Sequence, residues 1–349
     1  MSFTYAPALE SIADIDLRER YGLFIGGSWV APSDGTYLAC ENPATELPLA
    51  LVARASPADV ERAVRAARRG YDKYWRKLKA PERAKYLFRI ARAVDERTRA
   101  IAVRESLSSG MPIRFARNRV CATASAHAFY AAGWADKLAW AVRGHERAHA
   151  VGVVGAMVPG YAAFSATLAF VAPALACGNT VVLVPDALAP LGAFSLAQIC
   201  ADVDLPPGVF NVITGDATVG ASLVDHPDVD LLARAGTIAE GAALRRSVAG
   251  RRTRVHLTLD GVSTIVVYDD APLDAAIENI VAAMSLGGSR ANFAGVRILA
   301  AESIAAEILD RVKVRLATLR HGDPLDKNTD VGALPSRAHR DALVGLADY

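Results

Sequence analysis

The pattern of apolar and polar positions changes near residue 150. Beyond that point, short apolar runs alternate with segments whose apolar residues recur at helical spacing. The predicted strands are 151–158, 180–184, 209–213 and 229–233, and the helices that follow them lie near 164–176, 190–202, 217–226 and 237–249. Strands that alternate with helices pair in parallel through crossover connections. This part of the chain is therefore predicted to form a doubly wound parallel sheet.

Two further regions flank this alternating segment. Residues 21–46 combine short apolar stretches with Gly-Gly and Asp-Gly turns, which is typical of β-hairpins. From Pro57 to about Gly144 the apolar spacing is helical, and Ser56 followed by Pro57 is a typical helix start. Later strands are predicted at 254–259, 263–268 and 296–300, with helices at 273–286 and 303–318.

These elements predict two α/β domains. The first, residues 1–259, contains the hairpin region, the helical segment and the parallel sheet. The second, residues 260–349, begins near Asp260 and has only a few elements to enclose a core. The expected architecture is thus a doubly wound sheet followed by a partial second domain.

One stretch tests whether the chain crosses a membrane. Residues 150–185 carry no charged side chain and are long enough to span a bilayer. However, Pro159-Gly160, Pro173 and Gly178-Asn179 divide the stretch into pieces of strand and helix length. A buried β-α-β unit explains this pattern better than a membrane span.

Composition limits the classes of function. The chain has 349 residues, 52% hydrophobic and 22% charged, with a net charge of +2, which is typical of a globular protein. The mixed charges argue against a dedicated nucleic-acid or membrane-surface binder. The four cysteines form no CxxC motif and no metal-like pairing with histidine, and the N-terminus does not resemble a signal peptide. We expect no metal site and a cytoplasmic location.

Specific sequence blocks then point to a family. They include FIGGSW (24–29), NPATE (42–46), VGVVGAMVP (151–159), APALACGNTVVLVP (172–185), LPPGVFNVITG (205–215) and GDPLDKNTDVGAL (322–334). In order and spacing, from residue 21 onward, the chain resembles the aldehyde dehydrogenase superfamily. The resemblance implies a Rossmann-like NAD(P)-binding domain, a catalytic domain and an oligomerisation element. It also implies thiolate attack on an aldehyde, hydride transfer to NAD(P) and hydrolysis by water that a glutamate activates.

The three catalytic positions implied by the resemblance depart from the family pattern. In SRANFAG (289–295) Asn292 stands where the family has its cysteine, and an amide cannot form a thioester. In TLDG (258–261) Thr258 replaces the glutamate base, with Asp260 two residues away as a conceivable displaced base. In PGYA (159–162) Tyr161 replaces the asparagine that donates to the oxyanion. No catalytic group is therefore predicted to be intact.

The positions implied for the cofactor are partly changed. Val184 and Ala187 of VPDA stand where the family pattern KPAE supplies a lysine and a glutamate to the adenosine ribose. In GTIAEG (236–241), Gly236, Thr237 and Gly241 keep the family spacing, where a strand-to-helix turn would approach a pyrophosphate, and the nearby Arg234 could face a phosphate. Glycines that pack a helix on a sheet would give the same pattern. We expect no bound cofactor, with NAD(P) binding as the alternative.

Assembly is also predicted to differ from the family. The segment between Lys137 and Val151 is shorter than the family segment that carries an oligomerisation hairpin, and Tyr349 comes before the later family motifs. The chain resembles the incomplete second domain of two-domain aldehyde dehydrogenases, a truncated and catalytically degenerate member. The expected function is that of a pseudoenzyme, a structural or regulatory protein partner of an active aldehyde dehydrogenase. The alternatives are an NAD(P)-dependent aldehyde oxidoreductase with rearranged groups and a nucleotide-binding sensor without turnover.

Overall fold

The computed structural model describes residues 6–141, 149–261, 263–285 and 295–347. Its strands are β1 (Arg20–Tyr21), β2 (Leu23–Ile25), β3 (Ser28–Val30), β4 (Tyr37–Asn42), β5 (Leu47–Ala53), β6 (Val153–Met157), β7 (Thr180–Val184), β8 (Phe210–Val212), β9 (Leu231–Gly236), β10 (Arg254–Leu259), β11 (Ser263–Val267) and β12 (Gly295–Ala300). Its helices are α1 (Pro57–Lys73), α2 (Ala80–Glu96), α3 (Thr98–Ser109), α4 (Ile113–Phe115), α5 (Ala122–Trp134), α6 (Leu138–Ala141), α7 (Ala163–Ala176), α8 (Leu191–Asp202), α9 (Ala217–Asp225), α10 (Ile238–Ser247), α11 (Leu273–Ser285), α12 (Glu302–Leu316) and α13 (Arg337–Ala347).

The central sheet has, within the described residues, the strand order β10-β9-β6-β7-β8-β2-β3. Strands β6 to β10 pair in parallel, which confirms the predicted doubly wound α/β fold. Sequence patterning did not place the β2–β3 hairpin in this sheet. It joins the sheet edge antiparallel to β8, with Phe24 opposite Val212. All three β2 residues are buried, so this strand needs a covered position that an isolated hairpin does not provide.

Alternating residues of the central strands face two separate cores. In β7, Val181 and Leu183 pack with helices α2, α3, α5, α7 and α8, whereas Val182 and Val184 pack with α1, α9 and α10. Every residue of β6 and β7 is buried. Because both faces of the sheet are covered, these strands are continuously apolar rather than alternating.

The uncharged stretch 150–185 folds as β6, α7 and β7, and Pro173 lies inside α7. No helix in the described part of the chain is long and apolar enough to cross a membrane.

Helix α1 begins where the Ser56-Pro57 signal predicts, and it is anchored by a buried carboxylate. Ser56 Oγ accepts from the Asp59 amide at 3.3 Å, and the Asp59 carboxylate accepts from the Ser56 amide at 3.0 Å and the Ser33 amide at 3.0 Å. Burial alone would raise the pKa of Asp59, but the hydrogen bonds from Ser33 and Ser56 outweigh it and hold the pKa below its ordinary value.

A small second layer follows the central sheet. Strands β11 and β12 pair in parallel, and no further strand joins them in the described ranges. Ile265 and Ile298 face helices α11 and α12, whereas Val266 and Leu299, 54% and 52% exposed, lie on the opposite face. Parallel sheets are normally covered on both sides, so this face is unusual. The domain division at residues 259 and 260 stays a prediction.

Candidate functional site

An apolar cleft opens at the carboxyl ends of β6, β9 and β10. It has a volume of about 580 Å³, and helices α5 and α7 form its walls. We call it the apolar cleft. Tyr161, Thr258 and Asp260 all line it, as does Gly236. The structure therefore brings together residues that the sequence analysis selected from segments about one hundred positions apart. The carboxyl edge of a parallel sheet is where ligands bind in this architecture.

Tyr161 lies in the loop between β6 and α7. Its ring centroid is 6.4 Å from that of Phe115, so the side chain packs against the opposite wall of the apolar cleft. The next residue, Ala162, has φ 48° and ψ 39°, a left-handed conformation that costs a residue with a Cβ about 1–2 kcal/mol. The tight entry into α7 thus sets the position of Tyr161.

A buried carboxyl group lies below this loop. Glu105 of α3 is fully buried, and burial raises its pKa to about 8, although the backbone amides of Phe164 and Ala163 act in the opposite direction. A Cβ added at Gly192 of α8 would overlap Glu105 Oε1. Glu105 is consequently a neutral acid at pH 7, packed where α3, α7 and α8 meet. No pattern in the sequence distinguished it from the exposed glutamates.

Thr258 and Asp260 reach the apolar cleft from the end of β10. The Asp260 amide donates to the Gly236 carbonyl at 3.0 Å, which extends the β9–β10 pairing past Leu259. Because residues two apart in a strand lie on the same face, both side chains open onto one cavity. A carboxylate thus lies near the position where the resemblance places a glutamate base.

Among the described histidines and cysteines, only His127 of α5 lines the cleft. The His256 ring packs edge-on against Phe170 at 5.9 Å and does not line the cavity. Cys200 is buried in α8 and Cys177 follows α7, and burial raises the pKa of both thiols. No cysteine is among the described residues that line this cleft. Asn292 lies outside the described residues, so its prediction rests on the sequence alone.

A second cleft, also about 580 Å³, adjoins the first and shares Pro159, Ala235 and Gly236 with it. It follows the carboxyl ends of β6, β7, β8 and β9, and we call it the sheet-edge cleft. Val184 and Ala187, the changed cofactor positions, line it. Its charged lining residues, within the described chain, are Asp186, Asp216, Asp225, Glu240 and Arg234.

The amino end of α10 borders the sheet-edge cleft and carries its own capping residues. Thr237 Oγ1 accepts from the Glu240 amide at 3.2 Å, and Glu240 Oε2 accepts from the Thr237 amide at 2.9 Å. Glu240 also forms an ion pair with Arg234. Burial would raise the pKa of Glu240, but the Thr237 amide and the Arg234 charge lower it overall. Arg234 therefore faces a carboxylate of its own chain.

The two glycines at this turn have close neighbours. An added Cβ at Gly236 would overlap Glu240 Oε2, and one at Gly241 would overlap the Leu259 side chain. Gly241 thus lets α10 approach β10 closely, which is the packing explanation that the sequence analysis left open. Sequence reasoning missed Glu240, although Thr237 followed three residues later by glutamate is a capping-box pattern.

No group of three or more histidine, cysteine, aspartate or glutamate side chains suited to a metal ion occurs in the described part of the chain.

Comparison with known proteins identifies the family. The sequence profile of the aldehyde dehydrogenase family matches residues 29–348. The chain belongs to the aldehyde dehydrogenase family. It is similar to betaine aldehyde dehydrogenase 1 of Oryza sativa subsp. japonica, with 36% identity over 91% of this chain and 66% of the relative. It is also similar to geranial dehydrogenase of Castellaniella defragrans, with 34% identity over 92% of this chain and 69% of that protein.

Solved structures of aldehyde dehydrogenases share the fold. A putative aldehyde dehydrogenase from Burkholderia cenocepacia matches with a TM-score of 0.89 and 33% identity, covering 95% of this chain and 69% of its own. An NAD⁺ complex of the aldehyde dehydrogenase from Bacillus cereus matches with a TM-score of 0.92 and 26% identity, covering 98% and 72%. This chain spans about two thirds of the length of these family members. The predicted aldehyde-dehydrogenase-like fold is confirmed.

The family uses NAD(P), whose ribose and pyrophosphate need hydrogen-bonding groups and positive charge in their binding cleft. Val184 and Ala187 offer no hydrogen-bonding side chain. Asp186 is already engaged, since Oδ2 accepts from the Gly160 amide at 3.2 Å and Oδ1 from the Leu188 amide at 2.9 Å. The one guanidinium in the described lining, that of Arg234, is already paired with Glu240. These residues do not fit the ribose and pyrophosphate of a dinucleotide.

Proposed function

We propose that this chain is an aldehyde-dehydrogenase-fold pseudoenzyme, without dehydrogenase activity, that acts as a structural or regulatory partner of an active aldehyde dehydrogenase. One observation carries the proposal. Tyr161 and Thr258, at the positions that the family resemblance assigns to the oxyanion donor and the general base, line the same apolar cleft. The cavity of an active site is thus present with side chains that cannot perform the reaction.

The residues at the three catalytic positions each lack the chemistry that the dehydrogenase reaction needs. The Thr258 hydroxyl is far too weak a base to activate water at neutral pH. The Tyr161 hydroxyl is a donor, but its distance from the backbone differs from that of an asparagine amide, and oxyanion stabilisation depends on donor position. An amide at Asn292 cannot form a thioester. The nucleophile and the oxyanion donor both act when the aldehyde is attacked, and the base acts in hydrolysis, so restoring one group leaves the reaction incomplete.

Turnover is the direct test. The purified chain is mixed with NAD or NADP and a panel of aldehydes that includes betaine aldehyde and geranial, and NADH or NADPH absorbance is followed. We expect no rate above a boiled-protein blank, with an active family member as the positive control. Steady aldehyde-dependent turnover would show that the pseudoenzyme proposal is wrong. Loss of that turnover in Asp260→Asn would then assign it to a rearranged base.

A reconstruction series tests the roles of the individual positions. Asn292→Cys alone is expected to restore no dehydrogenase activity, because Tyr161 still replaces the oxyanion donor for the attack and Thr258 still replaces the base for hydrolysis. The matched triple variant adds Thr258→Glu and Tyr161→Asn, and circular dichroism checks that each variant is folded. Activity in the single variant would contradict the blocking roles of Thr258 and Tyr161.

Partnership needs a separate experiment. The tagged chain is expressed in its source organism and recovered at low salt, and its native mass is measured. The expected result is a complex that contains a full-length aldehyde dehydrogenase. Recovery of the chain only as a lone monomer counts against the partner role, and it leaves the prediction about turnover intact.

A further inference from the structure

The sheet-edge cleft raises a question separate from catalysis, namely whether it binds a nucleotide. A chain without turnover could still bind one, so the pseudoenzyme proposal does not predict whether this cleft accepts a nucleotide. In doubly wound folds, phosphates bind at helix amino ends at the carboxyl edge of the sheet. Helix α10 starts at this edge, directly after β9.

We propose that the Glu240 carboxylate, held by Arg234 and the α10 capping box, occupies the place of a nucleotide phosphate and excludes dinucleotides from the sheet-edge cleft. The carboxylate accepts from the Thr237 amide at 2.9 Å, a contact that a phosphate oxygen would otherwise make. It also lies so close to Gly236 that a Cβ added there would overlap Glu240 Oε2. The amino end of α10 thus has an anion supplied by its own first turn.

The positive charge of Arg234 is also engaged by Glu240 and is not free to bind a ligand. Its guanidinium pairs with Glu240, and Nη1 lies 3.5 Å from the Met157 sulfur. Arg234 Nε is buried with no hydrogen-bond partner in the described chain. The guanidinium therefore depends on the Glu240 charge, and removal of that charge would leave a partly buried cation without compensation.

The other charged groups at the cleft offer no free cation to a phosphate. Asp216 pairs with Arg54 at 2.9 Å, and Asp225 pairs with Arg251 at 2.8 Å. Both arginines are therefore engaged by carboxylates of their own chain. A pyrophosphate placed beside Glu240 would meet like charge at short range, which is unfavourable at any protein dielectric.

Calorimetric titrations with NAD, NADP and inorganic pyrophosphate test the proposal. Wild-type protein is expected to give no saturable binding up to millimolar ligand. Glu240→Ala exposes Arg234 and the Thr237 amide, and we expect its affinity for pyrophosphate to exceed that of wild type by about tenfold or more. The double variant Arg234→Ala/Glu240→Ala should lose this gain.

A charge-only variant guards against a folding artefact. Glu240→Gln keeps an acceptor for the Thr237 amide but removes the negative charge, so it should bind pyrophosphate more tightly than wild type even if Glu240→Ala unfolds. Saturable micromolar binding of NAD or NADP by the wild type would overturn the proposal. So would the absence of any gain in both Glu240 variants. A chain without aldehyde turnover could give either result, so the titrations test this proposal separately from the pseudoenzyme proposal.

Discussion

The buried acid Glu105 gives a quantitative prediction about stability. Its carboxyl group is fully buried beside α7 and α8, and burial raises its pKa from the ordinary 4.5 to about 8. The folded state therefore binds a proton that the unfolded state releases. The change to make is Glu105→Gln, which keeps the shape of the neutral acid and removes its titration.

The expected pH dependence follows from proton linkage. The contribution of protonated Glu105 to stability is fully present below pH 4.5 and is lost as the pH rises to about 8. One differential proton changes the free energy of unfolding by about 1.4 kcal/mol per pH unit. Between pH 5.5 and 7.5 the wild type should therefore lose about 3 kcal/mol relative to Glu105→Gln.

Urea denaturation of both proteins at half-unit pH steps measures this difference. Because the two chains share every other titrating group, the difference between their unfolding free energies isolates the carboxyl group. We expect wild type to be the less stable protein at pH 8, with the gap narrowing as the pH falls. Two parallel stability curves across this range would refute the assignment of a protonated buried acid.

Three further substitutions test packing and backbone strain by the same urea assay. Gly192→Ala forces a Cβ against Glu105 and should destabilise the fold by about 1–3 kcal/mol; an unchanged midpoint would contradict the close contact. Asp59→Asn places an amide donor where Asp59 accepts from Ser56, and should cost about 1–3 kcal/mol at neutral pH, with less loss at acid pH where the aspartate itself is protonated. Ala162→Gly relieves a left-handed residue and should stabilise the fold by up to ~1 kcal/mol, so a loss would argue against that conformation.

Local sequence patterns predicted most of the parallel sheet, and the failures have a common cause. Strands β7 and β10 begin and end where the sequence pattern predicts. All residues of β7 are buried, whereas in β10 exposed and partly buried residues alternate, and each arrangement leaves a clear apolar pattern. The sequence pattern predicted a hairpin at β2 and β3 but not its position at the edge of the central sheet. Its pairing with β8 joins residues nearly two hundred positions apart, and turn residues such as Gly26 and Gly27 specify a hairpin without specifying what it pairs with.

The candidate site shows the same limit. Family spacing selected Tyr161, Thr258 and Gly236, and all three line one cleft. It did not reveal Glu240 as a partner of Arg234. The Thr237–Glu240 capping box is visible in the sequence, but it does not show that the Glu240 carboxylate also pairs with Arg234. Arg234 and Glu240 are only six positions apart, but they lie on either side of the turn from β9 into α10, and the pairing of their side chains depends on the geometry of that turn.

The small β11–β12 layer is expected to unfold separately from the central sheet. Its core is separate from the two cores of the central sheet, and one of its faces leaves Val266 and Leu299 half in water. A two-stranded sheet has little stability of its own, so its backbone amides should exchange with deuterated solvent through a local opening. The amides of β6 and β7, buried on both faces, should exchange only when the whole sheet unfolds. An unfolding curve of this protein would then contain two transitions, and the stability of the central sheet would be read from the later one.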